Sequence, residues 1–152
     1  MSGDLKSRVK LPQGFRFLGE SDIKQPFRTG DKTMDKYVLR DYYAWSLLPN
    51  ELVVLYEAAG DVAGIIEMTV NEDHIMIEMV ARNTLVAASG VGTRLMSLAE
   101  NVSRQLGKSE IRLESLDGVV AWYDGPLGYE EYTDRFYDPE FGWLTPKRKF
   151  MR

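Results

Sequence analysis

The chain has 152 residues, no cysteine, one histidine and a formal net charge of −4. These counts exclude a disulfide scaffold, a thiolate nucleophile, a cysteine-ligated metal and a multi-histidine metal centre. The acidic balance argues against strong nucleic-acid binding, which draws on a basic face, and permits a cationic substrate.

Residues 1–14 read as a loose terminus, with Pro12 and Gly14 as breakers. Phe15 to Leu18 predicts a short edge strand. Ser21-Asp22 predicts a helix start, and the helical region that follows carries Phe27, Met34, Tyr37, Val38, Tyr42 and Trp45, with a break near Thr29-Gly30. Pro49-Asn50 closes this region. Leu52–Ala58 and Val62–Val70 predict two strands joined by the hairpin signal Ala59-Gly60-Asp61. Asn71-Glu72-Asp73 turns the chain into a further strand, where Ile75, Ile77 and Met79 alternate with His74, Met76 and Glu78.

A small-residue loop follows, Ala87-Ala88-Ser89-Gly90-Val91-Gly92. It opens a helix whose apolar positions Val91, Leu95, Leu98, Val102 and Leu106 recur every three or four residues, with Gly107 as its stop. Such a junction is suited to an anion, because small residues let backbone N–H groups converge and the first helical turn adds unpaired donors. A tight turn that only packs a helix on a sheet would have the same sequence. Beyond it come a strand at Glu110–Ser115, a short helix with Trp122-Tyr123, Leu127-Gly128-Tyr129, and two strands over Tyr132–Tyr137 and Trp143–Phe150 with Pro139 between them. A strand-rich first half followed by strand-helix alternation points to a mixed sheet flanked by helices.

This order, with Gly90 and Gly92 in the loop, the Trp122-Tyr123 pair and Leu127-Gly128-Tyr129, resembles the GNAT superfamily of acyl-CoA-dependent N-acetyltransferases. The resemblance covers residues 52–135 well and the N-terminal part loosely. It implies a single domain over 1–152 of α/β (α+β mixed) class, with a mixed, mostly antiparallel sheet of six to seven strands. Three departures are visible: Ala87 stands where the family has Gln or Arg, Asp117 is the nearest polar residue to an expected Asn, and Asp124-Gly125-Pro126 is one residue longer than usual.

The resemblance implies acetyl-CoA as cosubstrate, with its pantetheine along Met79, Val80, Ala81 and Arg82 and its pyrophosphate on backbone N–H groups of the 88–93 loop. The loop residues are Ala88, Ser89, Gly90, Val91, Gly92 and Thr93. It also implies Tyr123 as the acid that protonates the departing thiolate, for which a phenol is well matched. A packed core tyrosine beside Trp122 is the plainer account of the same residue. Glu78 and His74 are the two candidate bases on one strand; histidine is the side chain that changes charge near neutrality. The acidic residues around Glu67–Glu78 and Glu114–Glu140 read either as a solvated surface or as a rim that attracts an amine.

The expected activity is therefore direct acetyl transfer to a primary amine of a small molecule or peptide. A catalytically weak CoA-binding or protein-interaction module is the alternative. An aminoacyl-tRNA-acetylating, toxin-like enzyme is suggested by the run Phe27-x-x-Gly30-x-x-x-Met34-Asp35-x-Tyr37-Val38 and opposed by the acidic charge. No apolar run reaches the length of a membrane span and the N terminus lacks the apolar core of a signal peptide, so a cytoplasmic location is expected. A homodimer is compatible with all of this.

Overall fold

The computed structural model describes residues 2–36, 39–116 and 120–151. Its helices are α1 (Ser2–Ser7), α2 (Leu39–Ser46), α3 (Val91–Gln105) and α4 (Val120–Asp124). Its strands are β1 (Phe15–Phe17), β2 (Glu51–Ala58), β3 (Asp61–Val70), β4 (His74–Arg82), β5 (Glu110–Leu116), β6 (Glu130–Glu131), β7 (Phe136–Asp138) and β8 (Gly142–Phe150). The eight strands form one open sheet in the order β1-β2-β3-β4-β5-β8-β6, with β7 also on β8. β4 and β5 run parallel, and every other pairing among the described residues is antiparallel.

A parallel neighbour requires a crossover, and α3 supplies it. Its five periodic apolar positions are all buried, against Leu52, Val54, Ile66, Met68, Ile75 and Ile111 on one face of the sheet. The other face carries a smaller core, where Leu39 and Tyr42 of α2 cover Val53, Leu55, Val62 and Ile65. Both faces being covered explains why β3 is apolar almost throughout and shows little alternation.

Gly64 sets how closely α3 approaches. A Cβ built there would lie 2.5 Å from Val91 Cγ1 and 2.9 Å from Leu95 Cδ1.

Four expectations change. The N-terminal stretch is not loose: α1 forms, Leu5 and Val9 are buried in the core, and Lys10 exchanges two 2.8 Å hydrogen bonds with the Gln105 side chain at the end of α3. The expected helix at Ser21-Asp22 is a single 3₁₀ turn, Glu20–Asp22, because the buried Asp22 carboxylate is turned to the Arg16 guanidinium at 2.6 Å by both oxygens. Of the expected helical region, the described residues form a 3₁₀ turn at Met34–Lys36 and then α2; Tyr37 and Val38 lie outside the described residues. At the C-terminal end the expected strand over Tyr132–Tyr137 shortens to the three-residue β7, and the two-residue β6 forms ahead of it, which brings the sheet to eight strands rather than six or seven.

Candidate active site

The site begins where β4 and β5 part. They pair from His74–Glu110 to Ile77–Leu113, after which β5 continues alongside β8 alone. On its other edge β4 changes register with β3: Glu67 stands opposite Met79 and Met68 opposite Ile77, leaving Glu78 as the unpaired bulge residue. The bulge bends β4 away from β5. Between them opens a cleft of about 400 Å³, lined by Glu78, Met79, Val80, Ala81 and Arg82 on one side and Leu113, Glu114 and Leu116 on the other. Strand backbone beside such a gap has N–H and C=O groups with no ladder partner, which suits an extended amide-bearing ligand.

α3 points its first turn at this cleft, with Gly92 in the lining. Gly90 caps the helix in the left-handed region at φ +67°, and a Cβ there would meet nothing within 4 Å, so the space above the loop is open. None of residues 87–94 is acidic, and Arg94 adds a cation. An anion therefore fits the junction on charge, donors and room. Gly92 answers to something else: its Cβ would stand 3.2 Å and 3.3 Å from the Trp122 ring, so its small size lets α4 pack over the start of α3.

Asn83 fixes the loop from the strand side. Its Nδ2 donates to the carbonyls of Val62 (2.8 Å) and Pro26 (3.1 Å), and its Oδ1 accepts from the N–H groups of Arg28 and Leu85. A lone Asn just past a strand carries no signal of this in the sequence; the buried fourfold bonding appears only when segment 26–28 folds back onto it.

Tyr123 lies on α4 and lines the cleft with its ring 4.8 Å from Trp122 and 5.9 Å from Tyr129. It is 6% exposed, and burial pushes its phenol up to about 12. It is thus protonated throughout the physiological range. Its carbonyl accepts the Tyr129 N–H at 2.8 Å, which closes the Asp124–Gly128 loop beneath it.

Carboxylates gather on the opposite wall. Glu78 Oε1 accepts from Thr69 Oγ1 at 3.0 Å, and the same hydroxyl reaches Glu51 Oε1 at 2.7 Å. Behind them Glu67, 8% exposed, is pushed up to about 8, first by burial and then by the charges of Glu51 and Glu78 and a hydrogen bond with Glu51. Glu114, across the cleft, is also raised, by desolvation first and then by Glu78 and Asp138. Neither Glu67 nor Glu114 stood out as a site residue in the sequence, where each reads as one more acidic residue.

His74 is placed apart. It begins β4, four residues before the bulge, which is about 13 Å of strand. Its Nδ1 is 2.7 Å from Asp73 Oδ1, its Nε2 faces Asn71 Nδ2 at 3.2 Å, and it does not line the cleft. The reason is geometric: at His74 the two strands are still paired and no gap exists. The structure thus brings Glu78, residues 79–82, Gly92 and Tyr123 to one cleft and leaves His74 outside it. The other loop residues, 88–91 and Thr93, are not in its lining; they lead into and begin α3 beside Gly92.

The arrangement has parallels. The model of the Acetyltransferase (GNAT) family matches residues 20–129. Ard1 from Thermoplasma volcanium is similar with a TM-score of 0.70 at 19% identity, over 91% of this chain and 97% of that one. The ribosomal-protein-S18-alanine N-acetyltransferase from Escherichia coli gives 0.69 at 17% identity, over 90% and 92%. Nourseothricin acetyltransferase gives 0.58 at 19% identity, over 68% and 67%. No curated protein sequence matches the chain.

Proposed function

The chain belongs to the GNAT family of acetyltransferases, and from that premise we propose that it moves an acetyl group from acetyl-CoA directly to a primary amine. The observation that carries this reading is the convergence of three features on one cleft: the parted β4 and β5, the start of α3, and the buried phenol of Tyr123. In this reading the N–H groups of residues 88–93 hold the pyrophosphate. The unpaired backbone edge of Met79–Arg82 holds the pantetheine. Most of these contacts are main-chain, so Ala87 in place of a polar residue costs one contact among several.

The amine nitrogen forms its bond to the thioester carbonyl carbon as the carbon–sulfur bond breaks. An acceptor that arrives as an ammonium sheds one proton to water before it attacks, and Glu78 takes the second as the amide forms, with Glu114 as the second carboxylate within the cleft. Tyr123 gives its proton to the departing sulfur. His74, outside the cleft, has no proton to move in this scheme. Holding the partners in line is itself a large part of the acceleration. The acceptor is a small molecule or a peptide, and the carboxylates on the cleft wall favour one that arrives as a cation.

Calorimetric titration with acetyl-CoA tests the binding half. Gly90→Asp is the variant of choice, since its side chain enters open space and Asp is among the residues that tolerate a left-handed backbone. Binding should be lost, and unchanged affinity would remove the loop from the cofactor site. Gly92→Asp is less informative, because it strikes Trp122 and mixes folding with binding. A thiol-release assay over a panel of amines then identifies the acceptor.

A further inference from the structure

Among the described residues Lys147 is the largest fully buried side chain, at 1% exposure, and the chemistry above gives it no task. It lies on β8 opposite Leu113 of β5, a residue of the α3-side core. Its Nζ reaches Asp124 Oδ1 at 2.5 Å, and Asp124 is half exposed. A buried ammonium paired with a carboxylate at the surface is an unusual arrangement. Lysine is almost never fully buried unless paired, and an apolar residue of similar volume would generally hold a core at least as well. Stability therefore does not explain why a charge is here.

Location does. Asp124 is the last residue of α4, next to Tyr123. α4 has five residues, too few to be rigid by itself, and it is followed by a loop with Gly125 and with Gly128 at φ +74°. Among the described residues, two polar links restrain that loop. One is the Tyr129 N–H on the Tyr123 carbonyl, and the other is the ammonium of Lys147 on Asp124. The first fixes the backbone at Tyr123 along one direction. The second anchors the neighbouring residue to the sheet.

We propose that Lys147 is a positioning residue for Tyr123: by holding Asp124 to the sheet from beneath α4, it sets where the phenol stands in the cleft. The inference rests on the reading of Tyr123 as the acid for the leaving thiolate, and it explains how a short helix with a loose exit can aim that proton. A misplacement of about 1 Å can cost on the order of 10²-fold in rate, so the anchor matters to catalysis more than to folding.

The test uses the whole chain labelled with ¹³C at the tyrosine ζ carbon, with the Tyr123 signal assigned by Tyr123→Phe. Asp124→Asn removes the partner charge, and Lys147→Met removes the ammonium itself, keeps the length and leaves no unpaired charge in the core. The parent should give one narrow Tyr123 signal. Both variants should broaden or split it, while Tyr56 on β2 stays unchanged. With the best amine of the panel, each variant should lower kcat at least tenfold and move the acetyl-CoA KM less than twofold. Added to Tyr123→Phe, neither should cost more than a further twofold.

An unmoved Tyr123 signal in the folded variants overturns the proposal, as does an equal loss of rate in the Tyr123→Phe background. If Asp124→Asn does not fold, Lys147→Met carries the decision alone. A broadened signal together with a fully active Tyr123→Phe enzyme leaves the positioning intact and removes the acid role. A narrow signal with a slow Tyr123→Phe enzyme does the reverse.

Discussion

Two buried titratable side chains, Tyr123 in the cleft lining and Glu67 behind Glu51 and Glu78, both hold their protons more tightly than usual. Tyr123 is raised by burial and so remains a proton donor up to about pH 12. Tyr123→Phe keeps the ring and its packing on Trp122 and Tyr129 but deletes that proton. General acid catalysis is worth typically 10²–10⁴-fold, so kcat should drop by about that much while acetyl-CoA affinity barely changes. Steady-state kinetics beside calorimetry reads both; a variant with over half the parent rate would make Tyr123 a packing residue.

Glu67 is raised from 4.5 to about 8, which means the folded protein holds this proton more tightly than the unfolded chain does. The stability it contributes is full below about pH 4.5 and is lost as pH rises through 8. Glu67→Gln should flatten that fall and stabilise the protein at pH 9 by a few kcal/mol, read from urea midpoints at pH 5 and pH 9. Asp22 works with the opposite sign. The Arg16 hydrogen bonds lower its proton affinity, so its contribution is present above the ordinary aspartate range and disappears in acid.

At the scale of elements, the approach of α3 to the sheet depends on one missing methyl group. Gly64→Ala would press Cβ into Val91 and Leu95, both buried core residues, rather than onto a flexible chain end. Overpacking of this kind costs about 1–3 kcal/mol, or several degrees of thermal midpoint in a chain of this size. Calorimetric melting checks it, and an unchanged midpoint would mean that α3 can shift without loss.

The same helix shows what a sequence reveals. Its 3.6-residue period, its stop at Gly107 and its G-x-G start were legible because each follows from local backbone chemistry. So was the strand alternation at 74–79. Glu67 was not legible, since a carboxylate on a strand looks like any other acidic residue until β2 and β4 close on both sides of it. Lys147 was hidden in the same way among the basic residues of 147–149. The α1 helix was missed because its stability comes from Leu5 and Val9 docking on a distant core. His74 and Glu78 share a strand in the sequence, and only the point where β5 departs separates them.

The whole molecule is acidic, with a formal net charge of −4, and Glu78, Glu114 and Asp138 line the cleft. A polyanion meets repulsion there and few counterion-releasing contacts. Filter binding to tRNA at physiological salt should therefore show no sub-micromolar affinity. A tight, steeply salt-dependent complex would promote aminoacyl-tRNA as the acceptor. Among the described residues no helix is long and apolar enough to cross a membrane.

Asn83 gives the molecule a further property. One amide side chain grips the loop that leads to α3 and, with the same four bonds, the 26–28 segment that leads to Met34 on the cleft wall. The two lips of the cleft therefore share a hinge pin. A restraint placed on one lip is thus carried to the other through a single buried amide.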